Sequence, residues 1–437
     1  MLTPCIAVFD IGKTNKKLVL FDLDLNLIHE EQTTFEEVKD DEGDNCEDLR
    51  ALTNWMTETW HKMESDGQFD IKALNFTTYG ASFVHLDENF RPVTPLYNYL
   101  KPLPEDIEKG FFDMYGDKVE FATVTASPSL GMLNSGLQII WLKRKHPASY
   151  AKIKHTLHFP QYCSYLFTKS LCSEFTSIGC HTGMWNMGAG DYHSFIYKEG
   201  ISELLPEIKK EHYNGTTNYR GNPIPVGTGL HDSSAALIPY LTKIEGKFLL
   251  LSTGTWCITL NPFADSILSK EELLNDCLNY MTFDGKQVKA SRLFSGSFHE
   301  NFTKRFSGHF FKDRDFFKKV KLDETILQKV SQMPRLLKDK FNPDQYFQPD
   351  DLDTFENYEE AYHKLVLDMV DYQVDAVILA GEGLSKIEKL FVDGGFSRND
   401  IFMKLLSKKM PTVKVEAFEI SQGTSMGGAM VMIPYII

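Results

Sequence analysis

The sequence predicts an α/β protein that uses one plan twice, and three observations carry that expectation. An apolar strand runs into a short Gly/Thr turn and returns as a second apolar strand in CIAVFDIGKTNKKLVLFD (5–22), and again in FLLLSTGTWCITLNP (248–262). A buried-strand pattern that ends on glycine occurs in IKALNFTTYGAS (71–82) and in KLFVDGGFSRN (389–399). Helical spacing of apolar residues marks Leu49, Leu52, Trp55, Met56 and Trp60 in the first half and about 358–380 in the second.

In chain order, strands near 4–10 and 16–22 share the turn 11–15, and a third follows around 25–35, giving an antiparallel meander. An acidic stretch, 40–48, precedes the amphipathic helix. After the strand 71–82 come the short strand and turn of FVHLDENFRPV, then helices expected at 104–115, 135–145 and 161–168. The second half opens on its hairpin at 248–260. Residues 263–353, rich in Lys, Asp and Phe, are expected to form peripheral helices. No Gly/Ser- or Pro-rich linker separates the halves. The expected domains are therefore 1–236 and 237–437, with a hinge at the crossing 225–239 and a cleft that opens and closes.

A chain of 437 residues is long enough to bury roughly 70% of its unfolded surface. Apolar residues make up 42% and charged residues 24%, as in ordinary globular proteins, and the 32 Phe are assigned to packing. A net charge of -14 disfavours nucleic acid as a partner, because phosphate-backbone binding needs clustered Lys and Arg. A small anionic site remains compatible with that charge, since it is built from local N–H groups, hydroxyls and Mg²⁺. The seven cysteines are scattered without a CxxC pair, which predicts reduced thiols in a cytoplasmic protein. The chain enters a strand without a basic n-region or apolar h-region, and no apolar run approaches the ~18 residues of a spanning helix.

Four motifs carry candidate chemistry. In the first turn Gly12 permits a tight bend, Thr14 and Asn15 offer a hydroxyl and an amide to phosphate, and Asp10 can hold Mg²⁺ directly or through water. A hairpin also uses Gly and Asn for geometry alone. Pairing with Ser252, Thr253, Gly254 and Thr255 favours two turns gripping one polyphosphate. In VGTGLHDSSAAL (226–237) a Gly-rich loop delivers Asp232 to the start of a helix, where Asp is a common N-cap. A carboxylate there also stays ionised, as a proton acceptor must. Gly394 and Gly395 leave room for something flat near the backbone and suit an adenosine site, while Ser397 or Asn399 caps the next helix. TTYGAS (77–82) with LYNY (96–99) offers aromatic faces and polar groups to a polyol, or else a packed strand end. EFTSIGCHTGMWN (174–186) adds His181 and Trp185 as candidate lining residues. GxxxxGK[ST] and HExxH are both missing, which excludes P-loop and zincin chemistry; His299-Glu300 is not a zincin pair.

The ordered set DIGKTNKK, TTYGAS, GLHDSSAA, STGTW, VDGGFSRN and QGTSMGGA resembles the FGGY family of carbohydrate kinases, within the sugar kinase, heat-shock ATPase and actin superfamily. TASPSLGMLNSGLQIIWLKRKHP and HFPQYCSYLFT fit its intermediate helices. The resemblance implies two ribonuclease H-like (actin-like ATPase) domains with mixed five-stranded sheets flanked by helices and an active-site cleft between them. It implies ATP and Mg²⁺ as cofactors and a small-molecule sugar as partner, with no membrane; a homodimer is left open. By position it implies Asp232 as catalytic base and a sugar contact. Asp10, Gly12, Lys13, Thr14, Asn15, Thr253, Gly254 and Thr255 would surround phosphates and Mg²⁺, with Gly394, Gly395 and Asn399 beside adenosine. Tyr79, Gly80, Tyr97, Asn98 and His181 would face the sugar. Gln161 and Gln422 depart from the usual pattern, as does the sugar loop, which lacks Gln-Met-His-Gly and the Asp after Tyr97-Asn98. DIGKTN and TSIGCHTGMW look closer to kinases of deoxy-ketoses. The implied activity is transfer of the γ-phosphate of ATP to a ketose such as L-rhamnulose, L-fuculose or xylulose. A non-catalytic sugar and ATP sensor, or an actin-like ATPase switch, is the alternative.

Overall fold

The computed structural model describes residues 2–341, 347–418 and 420–436. By internal contacts the chain forms two units: Met1–Glu245 with Asn279–Gln287 and Ser421–Ile437, and Gly246–Leu278 with Val288–Ile420.

The sheet of the first unit is built from β1 (Thr3–Ile11), β2 (Lys16–Asp22), β3 (Leu27–Thr33), β4 (Phe69–Thr78), β5 (Tyr213–Tyr219), β6 (Asn222–Gly227) and β7 (Leu230–His231). β1 pairs antiparallel with β2, and β2 with β3, whereas β1–β4 and β4–β7 are parallel. These five strands are the expected core. The β5–β6 ribbon extends it to seven by joining β4 through Val226 and Leu74. Register decides the site: Asp10 lies opposite Thr77, and Leu230 and His231 lie opposite Thr77 and Thr78. Three parallel strands thus end at one edge.

The apolar runs of β1 and β2 are covered on both faces, which is why Cys5 to Phe9 are 0% exposed. On one face lies α1 (Leu49–Ser65), capped by the Asp48 side chain on the Ala51 N–H and burying Leu52, Met56, Trp60 and Met63. α2 (Phe159–Thr168) brings Phe167 within 6.0 Å of Phe9, which stacks on Phe76 at 6.1 Å. Burying each such ring contributes about 1.5–3 kcal/mol, so the abundant Phe pack as expected. On the other face, α3 (Asp232–Lys243) lies against the C-terminal helix Gly423–Met430. A Cβ on Gly427 would overlap the Ala235 carbonyl, and the buried Asn75 amide donates to Gly428 O at 2.8 Å. That close packing, rather than chain order, places 421–437 in the first unit, so a single cut at 236/237 does not describe the contacts. The crossing 225–239 is strand and helix, with Pro239 inside α3, and not a linker.

A second sheet repeats the plan with β8 (Phe248–Thr253), β9 (Cys257–Asn261), β10 (Cys277–Met281), β11 (Gln287–Leu293), β12 (Lys389–Gly394) and β13 (Lys414–Ala417), in the order β10-β11-β9-β8-β12-β13. β8–β9 and β9–β11 are antiparallel; β8–β12 and β12–β13 are parallel. Its helices are α4 (Ser295–His309), α5 (Tyr358–Ala380) and α6 (Asp400–Lys409), with Phe302, Phe306, Tyr358 and Phe402 in the core.

β10 and β11 correct the expectation that 263–353 is peripheral helix. The alternation of β11 was hidden by Lys289, which is 0% exposed because its ammonium is held by Ser266 Oγ at 2.7 Å, Glu272 at 2.7 Å and Glu382 at 3.1 Å. A buried charge satisfied this way reads as surface in sequence. Seven free cysteines are buried. Among the described residues no helix is long and apolar enough to cross a membrane.

Candidate active site

In the first unit the first turn is closed by Gly12 N–H donating to Asn15 O at 2.9 Å. The N–H groups of Lys13, Thr14 and Asn15 have no hydrogen-bond partner among the described residues, and Thr14 and Asn15 are exposed. Such a row of free donors is an anion-binding concavity. Lys16 anchors it from beneath: it is 1% exposed, pairs with Glu47 at 2.9 Å and donates to Lys13 O at 3.0 Å. Lys13 Nζ pairs with Glu37 at 2.7 Å, and Asn98 Nδ2 reaches the same carboxylate at 3.3 Å.

Asp10 accepts from Thr77 Oγ1 and from Ser425 Oγ, both at 2.8 Å. Burial pushes its carboxyl above the usual range; the two hydroxyls pull it back, and the charge of Asp232 pushes it up again. Mg²⁺ is commonly held by one or two carboxylates plus water and phosphate oxygens, so Asp10 fits a Mg²⁺ ligand set completed by nucleotide.

Asp232 is the first residue of α3 rather than its cap, a place taken by His231. It sits there because the preceding loop is held by Gln161, whose amide donates to Gly229 O at 3.0 Å, and by Thr176, whose hydroxyl accepts from His231 N–H at 2.9 Å. Asp232 Oδ1 meets His231 Nε2 at 3.1 Å, Ser233 N–H at 2.6 Å and the Ser233 hydroxyl at 3.2 Å. Oδ2 has no hydrogen-bond partner among the described residues. Burial acts to raise this carboxyl, but the hydrogen bond and charge of His231, with Ser233, outweigh it and hold it below the usual range. His231, despite burial, is held protonated well above its ordinary value by Cys180 and Asp232.

His231 Nε2 also lies 3.1 Å from Cys180 Sγ, and its ring stacks on Tyr280 at 5.7 Å. Tyr280 OH reaches His181 Nε2 at 3.2 Å. Gly80 faces this group, and a Cβ there would overlap Cys180 Sγ and meet His231 Cδ2 at 3.0 Å. Gly80→Ala is therefore expected to displace His231 and Asp232 and to lower kcat/KM about 5- to 100-fold, the effect of ~1–3 kcal/mol of overpacking. ATP affinity should be unchanged, and steady-state kinetics beside calorimetric titration reads both.

Tyr79 and Tyr97 differ from the expectation that both present to sugar. Tyr97 is 4% exposed, packs edge-on against Trp141 at 4.9 Å and gives its hydroxyl to Asp41 at 3.2 Å. Tyr79 is buried with its hydroxyl on Glu47 at 3.2 Å. Both hydroxyls are engaged internally. Glu37, Glu47 and Tyr280 lie in no motif singled out from sequence, and Cys180 lies within EFTSIGCHTGMWN without being named there as a site residue.

In the second unit Gly254 N–H closes the matching turn on Trp256 O at 2.9 Å, and Thr255 is exposed with its N–H unpartnered among the described residues. Thr253 departs from its expected role. It is 4% exposed; its hydroxyl donates to Asp393 O at 2.5 Å and accepts from Phe396 N–H at 3.0 Å. It fastens the glycine loop instead of offering itself to phosphate. Gly394, at φ +86°, makes room for the Thr253 carbonyl, so of the two glycines Gly395, with no described residue within 4 Å of where a Cβ would stand, is the one that leaves open space. Gly296 is a further requirement, since a Cβ there would overlap Gly254 O. Its signal was the Ser-Gly-Ser opening of α4. Asn399 caps α6 through Phe402 N–H at 3.1 Å. A cavity of about 600 Å³ is lined by Thr253, Gly254, His299, Phe317, Gly395 and Asn399, with Lys318, Lys321 and Arg398 also on its wall.

Two family descriptions fit this chain. Residues 5–239 match the N-terminal domain of the FGGY family of carbohydrate kinases, and residues 245–435 match the C-terminal domain of the same family. The chain belongs to the FGGY family of carbohydrate kinases. Among curated FGGY relatives it is 24% identical over 261 residues to the rhamnulokinase of Halalkalibacterium halodurans, covering 57% of this chain and 54% of that one. It is 22% identical over 289 residues to the rhamnulokinase of Mannheimia succiniciproducens, covering 62% and 57%. The match thus spans about half the length of these relatives. Solved structures share the fold. A carbohydrate kinase from Novosphingobium aromaticivorans superposes with a TM-score of 0.82 at 22% identity, over 100% of this chain and 92% of that one. Plasmodium falciparum glycerol kinase with ADP gives 0.75 at 17%, over 98% and 89%.

Proposed function

We propose that this FGGY protein transfers the γ-phosphate of ATP to a hydroxyl of a small sugar, with Asp232 as proton acceptor. The observation that carries the reading is the state of Asp232: a carboxylate kept ionised by His231, with Oδ2 unpartnered among the described residues, on the strand edge that also ends in Asp10. The sugar hydroxyl attacks the γ-phosphorus, its proton passes to Asp232 Oδ2, and ADP leaves. General base help of this kind contributes ~10²- to 10⁴-fold. The rest is alignment and charge stabilisation. Lys13, Thr14, Asn15, Gly254 and Thr255 would hold phosphates, and Gly395 with Asn399 the adenosine. Mg²⁺ at Asp10 would neutralise charge on the phosphates when bound. Gly80, Asn98, His181 and Asp232 would contact the sugar.

The substrate class we favour is a ketose of the rhamnulose, fuculose or xylulose type. The curated relatives named rhamnulokinase support it. Seven free, buried cysteines support a reducing compartment, hence the cytoplasm. ADP release measured over ketoses, aldoses and polyols is the test. Sugar-dependent release with little ATPase activity in its absence is expected; hydrolysis indifferent to every sugar would overturn the reading.

A pH profile examines the base separately. Because the carboxyl of Asp232 is lowered, it stays ionised as pH falls through the usual carboxylate value near ~3.9. Its acid limb in kcat should lie below that value. Replacing His231 by Gln removes the counter-charge while burial remains, so the limb should move upward in pH. An unmoved limb would assign it to another group.

A further inference from the structure

His299 lines the cavity of the second unit and is 9% exposed. Its Nε2 lies 3.0 Å from Tyr362 OH, and the direction of that bond follows from its neighbours. Asn399 Oδ1 accepts from Phe402 N–H at 3.1 Å, a backbone group that can only donate. The other end of the amide is therefore Nδ2, which donates to Tyr362 OH at 2.8 Å. With its oxygen accepting from Asn399, Tyr362 has its own proton to give, and His299 Nε2 receives it. Burial holds the imidazole at a pKa of about 4, so the ring is neutral near pH 7 and carries its single proton on Nδ1. The ring packs nearly perpendicular to Phe317 at 4.8 Å and Phe396 at 5.3 Å, neither of which carries a nitrogen or oxygen acceptor. Nδ1 has no hydrogen-bond partner among the described residues.

We propose that His299, through Nδ1–H, donates a hydrogen bond to an acceptor on the nucleoside bound in this cavity, with Tyr362 and Asn399 as positioning residues that fix its tautomer. The proposal rests on the reading of the cavity as the nucleotide site. It assigns to the Asn399 cap a second task. The amide that ends α6 in hydrogen bonds also starts a three-residue chain whose last free donor belongs to the ligand. A fixed donor discriminates, because a ligand offering no acceptor there leaves a buried N–H unpaired.

Calorimetric titration with ATP, ribose 5-triphosphate and inorganic tripolyphosphate tests this. His299→Phe should weaken ATP about 2- to 12-fold, the range for one net hydrogen bond, and leave tripolyphosphate unchanged. His299→Asn, whose amide nitrogen falls near the former Nδ1, should restore ATP affinity to within about 2-fold, by the same hydrogen-bond range. A penalty shared by ribose 5-triphosphate places the acceptor on the ribose; a penalty confined to ATP places it on the base. Nitrogen NMR of the His299 ring should show the Nδ1–H form in the parent protein and a mixture of both tautomers in Tyr362→Phe. Unchanged ATP affinity in His299→Phe, or an Nε2–H ring in the parent protein, overturns the proposal. Parent protein that binds tripolyphosphate but gains nothing from the nucleoside also overturns it, and with it the reading of the cavity. A failure confined to His299→Phe leaves that reading standing.

Discussion

Asp232→Asn is expected to lower kcat for sugar phosphorylation about 10²- to 10⁴-fold, or about 3–5 kcal/mol of transition-state stabilisation. ATP affinity should stay within about 2-fold of the parent value, less than one hydrogen bond's worth. The amide keeps the size of the carboxylate and can still accept from Ser233 N–H through its oxygen. What it loses is the basic Oδ2 and the ion pair with His231. Loss of the negative charge also lets the His231 proton go more easily, since Asp232 helps to hold it. Paired measurement of kcat and of ATP binding separates a base from a structural cap. Parent-level turnover in this variant would take the role of base away from Asp232.

Gly394→Ala is expected to produce the largest loss in the second unit. Gly394 has φ +86° and ψ −152°, a region that L side chains scarcely occupy, at a cost of about 1–3 kcal/mol. A methyl there would also overlap the Thr253 carbonyl, adding ~1–3 kcal/mol of overpacking. Thr253 holds Asp393 O and Phe396 N–H, so displacement carries directly into the turn and the cavity wall. A lowered melting temperature and at least a ~10-fold loss of ATP affinity should appear together, consistent with that strain. Gly395→Ala is the informative contrast. Among the described residues nothing lies within 4 Å of its missing Cβ, so stability should hold while the added methyl intrudes on the ligand. Equal melting curves for all three proteins would show that Gly394 is not required by its backbone geometry.

Both hairpins, the amphipathic α1 and α5, and the strand-then-glycine pairs were legible because each is a local pattern. The alternation of apolar residues and the position of a turn glycine depend on neighbours a few residues away. β11 was not legible, because Lys289 breaks its alternation and is tolerated only through Glu272 and Glu382 from elsewhere in the chain. The same limit applies within the site. Thr253 looks like a phosphate hydroxyl in STGTW, yet its hydrogen bonds are already committed to the 393–396 backbone. Tyr97 looks like a sugar platform in LYNY, yet Trp141 and Asp41 enclose it.

The doubled strand plan, the two turns, the helix-start placement of Asp232 and the family are all carried by local patterns in the chain. Which polar groups are left for ligands is set by packing between distant segments. Whether a hydroxyl, carboxylate or imidazole is available depends on the partner it meets. For Asp10 that partner is Ser425, 415 residues away, and for His299 it is Tyr362, 63 residues away. Hydrogen-bond satisfaction is a property of packed neighbours in space, and spacing along the chain carries no record of it.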